Sequence, residues 1–139
     1  MTSVALLLAA AVFGGMILFS STFAPLVFRY LEADAARMMI RLAFPWYYWF
    51  VISGSAVSAT ALIFVNTISA QIMLLVTLLG AVAAFILMPR INASRDAGEG
   101  KAKQFKRLHA LSFSINLVQI VAIGWVLIRL LNTDRLFLT

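Results

Sequence analysis

His109, Ser112, Asn116 and Gln119 carry hydrogen-bonding chemistry at helical spacing. At 100° per residue they fall at about 0°, 300°, 340° and 280°, an arc of about 80°, with Ser114 and Trp125 nearly opposite. They form one polar stripe running about 15 Å along a helix axis. An imidazole, a hydroxyl and two amides can bind and orient a polar ligand, or they can hydrogen-bond one helix to another. They do not make an acid–base pair or an activated nucleophile, so no catalytic residue is assigned. His109 is the sole histidine and cysteine is absent. That composition rules out a disulfide framework, thiolate zinc, iron–sulfur ligation, covalent c-type haem and a cysteine nucleophile. No metal site is assigned, and no cofactor is expected beyond bound lipid.

A partner for the stripe lies near the N-terminus. Pro25 cannot donate to the carbonyl of Ser21 and predicts a kink, and Ser20, Ser21 and Thr22 can satisfy the freed backbone groups. Counted inward from Arg29, Ser21 lies about 12 Å deep; counted from Arg107, Asn116 lies about 13.5 Å deep. The matching depths predict a polar cleft with Ser21, Pro25 and Arg29 on one wall and His109, Ser112, Asn116 and Gln119 on the other. Tyr47 would cap it. Arg29 and a protonated His109 would favour an anionic or strongly dipolar ligand at its mouth. If the same residues serve only to join helices, their replacement should lower stability and nothing else.

The elements that must hold this cleft follow from composition. The chain has 139 residues, 63% hydrophobic and 12% charged, with a mean hydropathy of +1.01. Soluble domains run about 45–50% apolar and about 25% charged, and a small globule hides only about two-thirds of its unfolded surface. A soluble enzyme, a disordered tail and a nucleic-acid module are excluded as main readings. The fold class is an all-α integral membrane protein, a single four-helix transmembrane domain over 1–139. Met1–Phe28 and Leu42–Pro89 carry no charge, and Leu108–Ile128 is interrupted only by His109. With about 20 residues needed per span, the middle run divides at a polar turn over 66–71. Spans are expected at 4–28, 44–65, 72–88 and 109–131.

Arg29, Arg37, Arg41, Arg90, Arg95, Lys101, Lys103, Lys106 and Arg107 fall on one side, and only Arg129 and Arg135 on the other. The positive-inside rule then makes both termini non-cytoplasmic, as in a multi-pass protein of a bacterial inner membrane, with anionic lipid at the basic face. The aromatic run Trp46–Trp49 and Trp125 suit the two interfaces. A signal peptide is not expected, because the first run lacks an early Lys or Arg and continues past Ala9-Ala10-Ala11. Residues 31–42 alternate charge with Leu31, Met38, Met39 and Leu42, which predicts a short amphipathic segment on the inner surface. The basic residues 101–107 read as a solvated extension of the last helix; without a nucleic-acid fold signature they predict no nucleic-acid partner. Ala10–Gly14, Ala11–Gly15, Gly54–Ser58 and Gly80–Ala84 keep the small-xxx-small spacing of close helix packing. A homo-oligomer or a place among other membrane subunits is expected.

Several motifs in order carry a resemblance. They are Gly14-Gly15-Met16 with Phe19, Ala24-Pro25-x-x-Phe28-Arg29-x-Leu31, Phe44-Pro45-x-Tyr47-Tyr48, Asn92-x-x-Arg95-Asp96, and Phe105-x-x-Leu108-His109-x-x-Ser112-x-x-x-Asn116-x-x-Gln119. Together they resemble the transmembrane-protein-205-like family of small four-helix membrane proteins. The resemblance implies a four-helix domain of unknown function, and its animal namesake implies export of platinum compounds. Without cysteine, such a route would rely on Met16, Met38, Met39, Met73 and Met88, which at helical spacing are core filler more often than ligands. Three functional classes follow. The first is a non-catalytic accessory or packing subunit, favoured by the lack of catalytic groups. The second is a small-solute or metal-compound transporter using the cleft, although all five acids lie outside the spans. The third is a haem- or redox-linked membrane enzyme, which would need a second ligand from another chain.

Overall fold

The computed structural model of the chain describes residues 2–136, and their side chains as far as Thr133. It contains four long helices. Helix α1 is Thr2–Tyr30, α2 is Ala33–Leu62, α3 is Thr67–Asp96 and α4 is Ala102–Leu136, preceded by a 3-10 turn at Glu99–Lys101. At about 1.5 Å per residue, helices of this length exceed the roughly 30 Å of a hydrocarbon core. Three stretches, Thr2–Tyr30, Thr67–Asp96 and Glu99–Thr133, are long and apolar enough to cross a membrane. Helix α2 is as long but less apolar, because it carries Pro45, Trp46, Tyr47, Tyr48 and Trp49 and then a run of serines. It is also well enclosed, burying Tyr47, Tyr48, Val51, Ser55, Ser58, Ala59 and Leu62.

The helices form an antiparallel ring in which α1 packs on α2, α2 on α3, α3 on α4 and α4 back on α1. Named contacts fix the register. Ser58 Oγ donates to the Ala5 carbonyl at 3.4 Å, Ser55 and Thr77 hydroxyls meet at 2.8 Å, and Gly124 backs onto the Phe13 ring. Close approach of α1 and α2 depends on Gly54, where a Cβ would stand 2.5 Å from Val12 Cγ2. Gly15 faces Phe50 and Gly80 faces Ile52 in the same way, whereas Gly14 points into open space. Met16, Leu62, Met73, Ile123 and Leu130 fill the core between the four helices.

Two helices change pitch before a proline. Residues Phe19–Phe23 and Ala83–Leu87 form π-helical turns, with the Ala24 N–H bonded to the Phe19 carbonyl and the Met88 N–H to the Ala83 carbonyl. Pro25 and Pro89 follow at once. A proline lacks the N–H and its ring crowds the carbonyl four residues back; the wider turn removes that conflict. The break expected at Pro25 thus takes the form of a π-turn, and Ser21 Oγ supports it by donating to the Ile17 carbonyl at 2.6 Å. Beyond these turns the end of α1 packs on α2, where Val27 meets Ala36 and Ile40, and the end of α3 packs on α4. The bundle therefore parts into two helix pairs at its charged end.

The helix bounds differ from the sequence expectations at several points. The expected segment over 31–42 is not separate: after the link at 31–32, residues 33–42 are the start of α2, which runs unbroken through Pro45 because Ala36 and Ile40 anchor that first stretch against Val27. The connection after α2 spans residues 63–66 rather than 66–71. Asn66 caps α3, its side-chain oxygen accepting from the Ser69 N–H at 2.9 Å, so Thr67, Ser69 and Gln71 are helical. Helix α3 passes Pro89 and ends at Asp96, with the turn made at Gly98, whose φ of 79° favours glycine. The basic residues 102–107 extend α4, as expected.

Candidate functional site

The polar stripe of α4 faces into the bundle, and the three deeper members each meet another helix. Asn116 accepts from Ser20 Oγ of α1 at 3.2 Å and donates to the Tyr47 hydroxyl of α2. The Ser112 and Tyr48 hydroxyls lie 3.2 Å apart. Gln119, 1% exposed, donates from Nε2 to the Val76 carbonyl of α3 at 2.9 Å. One helix thus bonds to all three of the others, α2 being reached across the ring. Stacked rings back the network, with Phe19 on Tyr47 at 4.3 Å between centroids and Phe44 on Tyr48 at 5.7 Å.

Below this network, where the pairs part, lies a cleft of about 290 Å³ lined by all four helices. Ser20, Pro25, Tyr47, His109, Ser112 and Asn116 border it, together with the aromatic rings and Arg95. A shallower hollow of about 520 Å³ opens between α2 and α3, over Pro45, Trp49, Phe85 and Pro89. Arg41, Tyr48, Met88 and Asn92 border both.

The structure brings Pro25, Tyr47, His109, Ser112 and Asn116 together at the cleft. Ser21 is exposed and faces away, because it falls seven residues after the outward-facing Gly14 on the same face of α1; Ser20, one residue earlier, supplies the hydroxyl instead. Arg29 is also exposed and is not among the cleft residues, its guanidinium lying 5.7 Å from the Tyr30 ring centroid. Gln119 belongs to the α3 side of the core, above the cleft. His109 sits at the exposed rim, its ring parallel to Phe105 with centroids 5.9 Å apart.

Residues outside the expected set complete the mouth. Arg95 is half-buried on the cleft and its guanidinium lies 4.7 Å from the Phe105 centroid, so Arg95, Phe105 and His109 form one stack. Arg41 makes a two-pronged ion pair with Asp96, both N–O distances 3.0 Å, joining α2 to α3 across the parted end. These charges lie past the uncharged stretches. There the Arg41 guanidinium holds the Asp96 carboxyl below its ordinary value, and Asp96 raises that of Arg41. Partial burial, with Arg37 and Arg41 nearby, lowers Arg95. The Asn92-x-x-Arg95 spacing, one helical turn, was the sequence signal that these two residues share a face. Among the described residues no group of three or more His, Cys, Asp or Glu is arranged to hold a metal ion.

Comparison with known proteins yields one match: the family model described as Domain of unknown function (DUF4149) covers residues 7–100, well over half of the chain. No curated protein and no solved structure matches.

Proposed function

For this chain, which belongs to the DUF4149 family, we propose the role of a non-catalytic integral membrane protein, an accessory or packing subunit of a larger membrane assembly. One observation carries the reading: Asn116, Ser112 and Gln119 are each engaged with a residue of another helix. Side chains committed to such bonds hold a bundle together and are not free to act on a substrate. All four helices cross the membrane in this reading. Helix α2 packs antiparallel against two helices that are long and apolar enough to cross, so it occupies the same depth. The Lys and Arg bias supports non-cytoplasmic termini in an inner membrane, with anionic lipid at the basic end.

The outer surface is apolar enough to face lipid or a partner helix. Large apolar side chains such as Leu7, Leu18, Phe85, Phe113, Val121 and Ile128 are exposed along α1, α3 and α4. Ala10 and Gly14 form a small-residue notch on the outward face of α1, with open space beyond Gly14. The finer resemblance to the transmembrane-protein-205-like family rests on the sequence motifs alone and would favour export over packing. The test is cross-linking of the chain in native membranes, followed by gentle purification and a visible spectrum. A product larger than the monomer is expected. Monomer alone would contradict the subunit reading, and a stoichiometric pigment would favour a haem- or redox-linked enzyme.

A further inference from the structure

The cleft at the parted end divides its polar groups into two sets. Those on its floor are already paired with one another: Ser20 and Tyr47 with Asn116, and Tyr48 with Ser112. A sugar or other many-armed polar solute would find no unused partners there, and burial without them is costly. Apart from Asn92 and the charged residues, the lining is apolar ring and chain, including Phe19, Phe28, Phe44 and Phe113. Unused donors are few: the Asn92 amide, one helical turn before Arg95, and Arg95 and His109 at the mouth. Arg95 has no carboxylate within ion-pair distance and no hydrogen-bond acceptor among the described residues, and a ring face is its one close companion. The one acid nearby, Asp96, is engaged by Arg41. His109 borders the same opening. A half-buried guanidinium without a counter-charge, above an apolar cavity with a satisfied floor, matches a ligand with one anionic head and one apolar body.

We propose that this cleft binds an amphipathic anion: a carboxylate or phosphate head on Arg95, with a single chain or ring seated against Phe19 and Phe44. The volume, about 290 Å³, is at the small end of ligand pockets, which start near roughly 300 Å³; it takes one chain and not both chains of a phospholipid. Pro25 and Phe28 of α1 and Phe113 of α4 border the cleft and are exposed, so a chain can enter sideways from the bilayer as well as from the aqueous face. The site stands whether or not the protein has a partner subunit.

The test uses the full chain in discs of zwitterionic phosphatidylcholine, with a dansylated undecanoate as fluorescent probe. Decanoate is expected to displace the probe, whereas decanol and inorganic phosphate are not. Arg95→Gln should weaken probe binding by about tenfold or more, as loss of a hydrogen bond to a charged group implies. Arg95→Lys should restore part of it, and Arg107→Gln, away from the cleft, should leave it unchanged. Phosphatidylglycerol mixed into the disc separates the two sources: competition assigns the site to a lipid chain, and its absence beside decanoate displacement assigns a free acid. Equal displacement by decanol, displacement by phosphate alone, or unaltered binding to a folded Arg95→Gln protein would overturn the proposal.

Discussion

Gln119 reaches from α4 to the backbone carbonyl of Val76 on α3, 2.9 Å away, beside Gly80 of the same helix α3. A Cβ at Gly80 would stand 3.5 Å from Gln119 Nε2 and 3.1 Å from Ile52 Cγ1. The glycine thus gives room to Ile52, while the buried amide is held by its bond to the Val76 carbonyl. Replacing Gln119 by Leu keeps the volume and removes the bond. The expected loss is about 0.6 kcal/mol and at most about 1.7 kcal/mol, the range for hydrogen bonds between membrane helices. Reversible unfolding in mixed detergent micelles measures it.

Glycines 14 and 54 should respond in opposite ways to the same substitution. Gly54→Ala puts a methyl 2.5 Å from Val12 Cγ2, a stiff β-branched side chain; the expected cost is about 1–3 kcal/mol. Gly14→Ala meets nothing within 4 Å and should raise stability slightly through better helix propensity. Comparable losses at both positions would show that the α1–α2 register is wrong.

The Arg41–Asp96 pair gives a pH dependence of known sign. The Asp96 carboxyl is held below its ordinary value by its bond to Arg41, so the pair contributes stability above the unfolded carboxylate value. That contribution is lost as pH falls through the lower folded value. Asp96→Asn should therefore melt below the parent at about pH 6, and the gap should close as pH falls below the ordinary carboxylate range. Both side chains are exposed, so the gap should shrink with added salt.

Orientation is tested by fusion. An enzyme reporter at the C-terminus that works only outside the cytoplasm should be active, and one inserted at Gly98 should not, because the basic residues cluster at the Gly98 end. Activity in the opposite pattern would invert the chain and put the cleft mouth on the outer side.

Much of this was legible in the chain because lipid leaves few options. Uncharged runs mark the long helices, and the 3.6-residue period put Ser112, Asn116 and Gln119 on the inner face of α4 before any partner was known. The partners themselves were less accessible. Ser20 and Ser21 both precede Pro25, and choosing between them requires the rotation of α1, which the π-turn that contains them alters. The start of α2 was hidden because Arg37 and Arg41 read as charges of a separate surface segment, although they sit on the first turns of a 30-residue helix. Arg95 was missed as a cleft residue because its role depends on α3 continuing as a helix through Pro89, where proline ordinarily argues for a break.

The most direct test is the coupling between Tyr47 and Asn116, measured by a double-mutant cycle of Tyr47→Phe and Asn116→Leu on unfolding free energy in micelles. If the stripe joins helices, the two losses should be non-additive, with a coupling of about 0.6–1.7 kcal/mol, and the single variants should retain any cross-linked partner to the extent that they stay folded. Additive losses within error, or a folded Asn116→Leu protein that loses its partner at unchanged stability, would contradict the account and make the stripe a binding surface in its own right.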